Sequence, residues 1–360
     1  MWENLEVTVE KTPETARKAK PAQDALGFGK YFTDHMFMMV WNKQQGWHDI
    51  KICPYQQFHL DPAAMIFHYG QGIFEGMKAY REEDGQMFLF RPLDNFERMN
   101  RSAQRICMPR FPAEKMVQWL KALVYLERDW IPTGPGAALY IRPTMIGVDP
   151  ALGAHPASDY YFYIIASPVG AYYAEGFNPT KIYVSDEQSR AAKGGVGNVK
   201  VAGNYAASFY TQEVAQKAGY TQVLWLDACE HRYCEEVGTS NIFFVIGDEL
   251  VTPPLDGTIL PGITRDSVIK LAESWGVRVA ERPIAIDEVF AASKSGKLKE
   301  AFASGTAAVI SPVGELAFKD EIYPVNNGQV GELAQRLYDE LQAIQHGRAA
   351  DPFKWVVRVG

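Results

Sequence analysis

The sequence predicts a two-domain α/β protein, and three observations carry that expectation. The chain has 360 residues, more than a single core usually supports. Apolar residues make up 47% and aromatic residues 12%, enough for large packed interiors and too many for a disordered chain. Runs of branched and aromatic residues alternate with segments of helical spacing until the aperiodic GAYYAEGFNPT near residue 170. The interdomain loop is placed there, at residues 170–181.

Residues 1–25 are polar, carry KTPETARKAKPAQ and read as an arm. A first domain, 26–169, opens with the strand signals YFTDHMFMMVW and QMFLF. Phe96, Met99, Ala103 and Ile106 then recur at helical spacing, as do Met116, Leu120, Leu123 and Val124. ALYIRPTMIG and DYYFYIIASPVG read as further strands of this half. In the second domain, 182–360, a helix near 205–218 precedes the strand QVLWLD, and NIFFVIGDELVTPP reads as a hairpin turning at Gly247–Asp248. A helix from Thr264 to Trp275 puts Val268, Leu271, Ala272 and Trp275 on one face, and Gly276 ends it. VRVAERPIAI is again extended, and there is no internal repeat.

The formal charge of -7 argues against a nucleic-acid binder or an anionic-membrane binder, since both need a basic face. Cys53, Cys107, Cys229 and Cys234 match neither a CxxC nor a zinc spacing, which predicts free thiols and no metal. No run approaches the roughly 18–20 apolar residues of a membrane span. The opening MWENLEVTVEKTPETARKAK lacks the apolar stretch of a secretory signal, so the expected location is cytoplasmic.

One stretch, GGVGNVKVAGNY, hangs Lys200 between glycine turns. Val199 and Val201 flank the lysine where a phosphate loop needs glycine and a hydroxyl residue, and GQGIFEG misses the dinucleotide fingerprint by one position. A lysine among small residues also suits Schiff-base chemistry, where a neutral amine attacks a carbonyl. An aldehyde cofactor such as pyridoxal phosphate needs four things: an amine, a phosphate cradle, a hydrogen bond to its phenolic oxygen and an acid facing its ring nitrogen. Candidates for each exist. Tyr205 stands five residues past Lys200; CEEVGTSN offers Glu235 and Glu236; LPGITRDSV places Gly262, Ile263 and Thr264 at a helix start suited to anions; and FASGTAAVI adds a Ser-Gly-Thr turn. Taken singly, each has an ordinary reading: a surface lysine, a core tyrosine, an exposed turn carboxylate, an N-cap at Thr264, a plain loop.

Taken in chain order, these segments resemble the branched-chain amino-acid aminotransferases, pyridoxal-phosphate enzymes of fold type IV. HYGQGIFEGMKAY, LFRPLDNFERMNRSAQRICMP, LYIRPTMIG, GVGNVKVAGNY, QVLWLDACEHRYCEEVGTSNIF, TPPLDGTILPGITR and FASGTAAVISPV all look like family segments, and the likeness covers nearly everything after the arm. The resemblance implies a smaller N-terminal α/β domain and a larger C-terminal domain with a barrel-like mixed sheet that binds pyridoxal 5′-phosphate. Lys200 matches the lysine that forms the internal aldimine and moves the Cα proton. Tyr205 matches the tyrosine on the phenolic oxygen. Glu236, followed by Val237-Gly238-Thr239, matches the ring-nitrogen carboxylate, with Thr239 counted among the cofactor-binding residues. Arg98 matches the phosphate arginine, aided by the Ile263 and Thr264 amides and the Thr306 hydroxyl.

On the substrate side, Phe28, Tyr69, Phe74, Tyr140 and Tyr172 look like the family's aromatic pocket for leucine, isoleucine and valine. The Thr306–Ala307 amides would hold the α-carboxylate, and Arg142 the distal carboxylate of glutamate. An aromatic box with one cation at its rim can admit both substrates, whereas a wholly apolar pocket would leave that carboxylate unpaired. The implied reaction is a ping-pong transamination with 2-oxoglutarate. Leu152 and Ala154 lie where the family reaches a neighbouring subunit, so a homodimer is implied. Ala308 and Ser311 stand where some relatives carry a redox CxxC, so no thiol switch is expected there. D-amino-acid aminotransferase and aminodeoxychorismate lyase share the lysine and glutamate chemistry and stay as alternatives. The aromatic set with Arg142 favours the branched-chain reading.

Overall fold

The computed structural model describes residues 5–170 and 177–360. The chain divides into two compact units: Met1–Tyr172 with Val199–Ala202 and Ala343–Gly360, and Tyr173–Asn198 with Gly203–Gln342.

The first unit is built on an almost wholly antiparallel sheet. Its elements run β1 (Thr8–Val9), β2 (His35–Asn42), β3 (Gly46–Pro54), α1 (Met65–Tyr69), β4 (Gly72–Phe74), β5 (Met77–Arg81), β6 (Met87–Phe90), α2 (Pro92–Arg105), α3 (Ala113–Leu126), β7 (Ala138–Gly147) and β8 (Asp159–Val169). The strand order is β1-β3-β2-β8-β7-β5-β6, with β4 on β7. β7 and β8 pair without a slip from Ala138↔Val169 to Gly147↔Tyr160. Pro143 sits inside that ladder, and its carbonyl accepts from Glu75 N–H. Phe37, Met39, Ile52, Phe96 and Phe162 are fully buried at the core. The stripes expected of the two helices are the faces they bury: Phe96, Met99 and Ala103 from α2, and Met116, Leu120, Leu123 and Val124 from α3.

The expected arm is tied down. β1 pairs in parallel with β3, Thr12 N–H donates to His35 Nε2 at 2.8 Å, and the Trp119 indole donates to the Leu5 carbonyl at 2.7 Å. Lys78 on β5 is fully enclosed, and burial drives its amine down to about 8. Its folded pKa lies below the unfolded value, so between pH 8 and about 10.5 the unfolded chain holds the extra proton. Stability attributable to Lys78 therefore rises with pH across that window. Urea unfolding at pH 8 and pH 10 should show wild type gaining relative to Lys78→Met, and an equal slope in the two proteins would refute this.

The second unit contains β9 (Thr180–Ser185), α4 (Ala202–Ala206), α5 (Phe209–Lys217), β10 (Gln222–Leu226), β11 (Cys234–Val237), β12 (Ser240–Ile246), β13 (Glu249–Thr252), α6 (Ile263–Ser274), β14 (Arg278–Glu281), α7 (Ile286–Lys294), β15 (Leu298–Gly305), β16 (Val309–Phe318), β17 (Glu321–Pro324) and α8 (Glu332–Gln345). Strands β11-β10-β9-β16-β15-β12 form a path that β11–β12 pairing closes into a six-stranded barrel, with β13 and β14 extending from β12 and β17 from β16. The β9–β10 and β9–β16 pairs are parallel and the others in the ring antiparallel. Leu224, Leu226, Ile242, Phe244 and Val251 lie in its interior cluster. The hairpin turns at Gly247, whose φ of 62° suits glycine.

Two expectations need correction. The helix near 205–218 is two helices, because Ala207 and Ser208 separate α4 from α5. The assignment of 182–360 to one domain fails at its C-terminal end. There β18 (Val356–Val359) pairs antiparallel with β6, from Val356↔Phe90 to Val359↔Met87, and adds the edge strand of the first sheet. Residues 343–360 thus belong with the first unit, which leaves the second the shorter of the two. Among the described residues, no helix is long and apolar enough to cross a membrane.

Candidate active site

Within the first unit, Lys200 lies in a short extended piece held by backbone bonds on both sides. Its N–H donates to Ser102 Oγ at 2.9 Å, its carbonyl accepts from Phe74 N–H at 3.2 Å, and Val201 bridges Ile73 on β4. The small residues around Lys200 permit this close approach to a strand. The lysine Nζ stands 5.0 Å over the Phe74 ring. The Arg142 guanidinium lies 4.7 Å over the same ring, and its Nη2 donates to the Tyr140 hydroxyl at 3.1 Å. Tyr140 meets Phe28 edge to face, with centroids 4.9 Å apart. Four expected residues, Phe28, Phe74, Tyr140 and Arg142, thus form one group with Lys200. Gly76 is required here, since a Cβ at that position would fall 2.1 Å from the Tyr140 hydroxyl.

Arg98, on α2, is 4% exposed, and its Nε and Nη2 each donate to one oxygen of the fully buried Glu75 at 2.8 Å. Ser102 lies one turn further on and donates to the Arg98 carbonyl, so a single helix face fixes both Arg98 and the Lys200 backbone. Tyr69 reaches elsewhere. It is exposed at the end of α1, and its hydroxyl donates to the Leu152 carbonyl. Tyr172 lies outside the described residues.

In the second unit the barrel gathers another set. Leu224 opposes Val237 while Leu226 opposes Cys234, so β11 carries one residue more than β10 over this stretch, a bulge at Glu235–Glu236. The bulge gives the two carboxylates different neighbours. Glu236 Oε1 accepts from Leu260 N–H at 2.6 Å, and Oε2 lies 3.2 Å from Arg190 Nε, both side chains being buried. Arg190 also donates through Nη2 to the carbonyls of Gly197 and Thr258. Glu236 opposes Asn241 on β12, and Asn241 opposes Ser304 on β15, which places the three side by side across the barrel wall. Among the described residues, the buried Ser304 hydroxyl has no hydrogen-bond partner.

Asn241 Nδ2 donates to the Leu260 carbonyl at 3.0 Å and so holds the approach to α6. Ile263 and Thr264 open that helix; its N-cap is Gly262, not Thr264. A Cβ on Gly262 would fall 2.1 Å from Asn241 Oδ1. Gly262→Ala should therefore destabilise by about 1–3 kcal/mol through overpacking, measured by denaturant unfolding; an unchanged midpoint would mean that Asn241 moves aside freely. Thr306 and Ala307 form the turn from β15 to β16, and Gly305 lies against Ser240, next to the exposed Thr239. Tyr205 ends up half-buried on α4.

Sequence reasoning missed Glu75, Ser102, Arg190 and Asn241. A glutamate inside the apolar GIFEGMKAY was the one available signal. The others look like ordinary surface residues until the fold pairs them.

This arrangement has close counterparts among solved aminotransferases. The Escherichia coli branched-chain amino acid aminotransferase matches with a TM-score of 0.77 and 26% identity, over 91% of this chain and 99% of that one. The branched-chain amino acid aminotransferase from Thermobaculum terrenum, solved in its PLP-bound holo form, matches with a TM-score of 0.74 and 25% identity, over 91% and 98%. The amino-transferase class IV family model matches residues 72–316. Branched-chain-amino-acid aminotransferase 2 of Bacillus subtilis (strain 168) is 53% identical over 96% of this chain and 95% of its own. The fold is that of an aminotransferase. The chain belongs to the class IV amino-transferase family, with the fold type IV architecture that the motifs implied.

Proposed function

We propose that this chain transfers amino groups between branched-chain L-amino acids and 2-oxoglutarate, giving branched-chain 2-oxo acids and L-glutamate, with pyridoxal 5′-phosphate as cofactor. The observation that carries the reading is the joint grouping of Lys200, Phe74, Tyr140 and Arg142 in a class IV family member. The relatives' names support the substrate class, and the holo form of the Thermobaculum terrenum enzyme supports the cofactor.

Each unit carries residues that suit such a cofactor. Lys200 supplies the amine. Glu236, buried and held by Leu260 N–H and Arg190, is the carboxylate proposed to face the ring nitrogen. The start of α6, the Thr306 hydroxyl and the unpartnered Ser304 hydroxyl offer donors for a phosphate. Arg98, held by Glu75 through Nε and Nη2, is the guanidinium proposed for the phosphate. Tyr205 and Thr239 complete the proposed set.

When bound, the cofactor draws electrons away from the substrate Cα. Lys200 Nζ would take the proton from that carbon and pass it to C4′ of the cofactor, and would carry a proton the opposite way in the reverse half-reaction. Glu236 holds the proton at the ring nitrogen. Phe28, Phe74 and Tyr140 enclose the side chain and exclude water. The Arg142 guanidinium, whose buried Nε has no partner among the described residues, binds the distal carboxylate of glutamate. The Thr306 and Ala307 amides orient the α-carboxylate.

Steady-state assays with 2-oxoglutarate should show turnover of L-leucine and none of D-alanine; the opposite result would assign the chain to D-amino-acid transamination. We also infer a homodimer, supported by the exposed Phe67 and Leu152, 61% and 72% accessible in the single chain. Light scattering should give twice the chain's mass, and a monomer would end that inference. The free thiols of Cys53, Cys107, Cys229 and Cys234 agree with a cytoplasmic setting.

A further inference from the structure

Beside Glu235, the second unit has an open pocket of about 400 Å³. Its polar lining is Asp227, Glu230, Glu235, Asp256 and Thr258 with one cation, Lys193, and its apolar lining includes Pro254, Ile259 and Tyr233. Glu235 is 5% exposed, and among the described residues its Oε2 is buried with no hydrogen-bond partner. The Thr258 hydroxyl lies between the two acids, donating to Asp256 Oδ1 at 3.1 Å and also favouring the charged form of Glu235. A buried carboxylate oxygen without a donor costs free energy, which an incoming N–H would offset. Burial pushes the Glu235 carboxyl up, with Glu236 and Asp256 adding to the effect and Thr258 and Arg190 opposing it. A positive charge beside Glu235 and Asp256 would relieve the repulsion between them, while the prolines, Ile259 and Tyr233 suit a hydrocarbon body.

We propose that this pocket binds a small protonated amine with an apolar body, which donates its N–H to Glu235 Oε2. The site is separate from the transamination proposed above, and its test reads binding rather than turnover, so either reading can fail alone. It adjoins Glu236 through Thr258, whose carbonyl accepts from Arg190.

The probe is N-methylpiperidine, a tertiary amine that is protonated at neutral pH and cannot condense with an aldehyde. Binding to the holoenzyme is followed by calorimetry and ligand-observed NMR. Saturable binding in the millimolar range is expected, weakened at least about tenfold in Glu235→Gln, since hydrogen bonds to charged groups exceed neutral ones. Cys229, exposed and lining the pocket, gives a second variant: Cys229→Trp should fill the space and abolish binding. N,N-dimethylpiperidinium keeps the charge but has no N–H, and should bind at least about tenfold more weakly. Absence of saturable binding to the wild type overturns the proposal, and so does equal affinity in wild type and Glu235→Gln.

Discussion

Lys200→Ala is expected to lose at least about 1,000-fold in turnover, because one side chain supplies both the covalent amine and the proton transfer. The fold should survive. The bonds that hold this segment, to Ser102 Oγ and Phe74 N–H, come from the lysine backbone and not from its side chain. Truncation removes the contact between Nζ and the Phe74 ring while leaving those backbone bonds in place. Lys200→Arg should be as inactive, since a guanidinium stays protonated at any working pH. Transamination of L-leucine measured beside thermal unfolding is the check. Near-normal rates in the alanine variant would remove the lysine from the reaction.

Glu75→Ala is expected to cost about 3–5 kcal/mol of stability, the usual penalty for leaving one half of a buried ion pair uncompensated. Arg98 would keep its charge inside the first unit with its two-pronged partner gone. The double variant Glu75→Leu/Arg98→Met should recover most of that loss, because apolar residues of similar volume often replace a buried pair at little cost. Urea unfolding of the three proteins decides it. If the single variant unfolds at the wild-type midpoint, the pair contributes nothing and Arg98 is satisfied by other groups.

Much of the architecture was legible because its signals are local. Alternation in β2, β7 and β8, the buried stripes of α2 and α3, and the glycine turn at 247 each depend on neighbours a few positions away. The barrel was expected only through the family resemblance, since β9 joins β10 and β16 in parallel across long stretches of sequence that local signals do not connect. The return of β18 to β6 is hidden for the same reason. In the site, the aromatic and cationic residues around Lys200 were found through family motifs. Glu75 escaped notice because a glutamate's meaning depends on Arg98, which lies 23 positions further along. Arg190 escaped likewise, since nothing near it in sequence announces Glu236.

The extra residue in β11 has a consequence for how this protein can change over generations. In a regular strand, neighbouring side chains are bound to opposite faces, and altering one face forces a compromise on the other. Here the irregular pairing sets two adjacent glutamates against a single residue of the facing strand, so a change of length at 235 also moves 236. A deletion of Glu235 would straighten the strand and add ladder bonds, yet shift the remaining acid out of reach of Leu260 and Arg190. Selection for a smoother strand and selection for its chemistry would then pull in different directions.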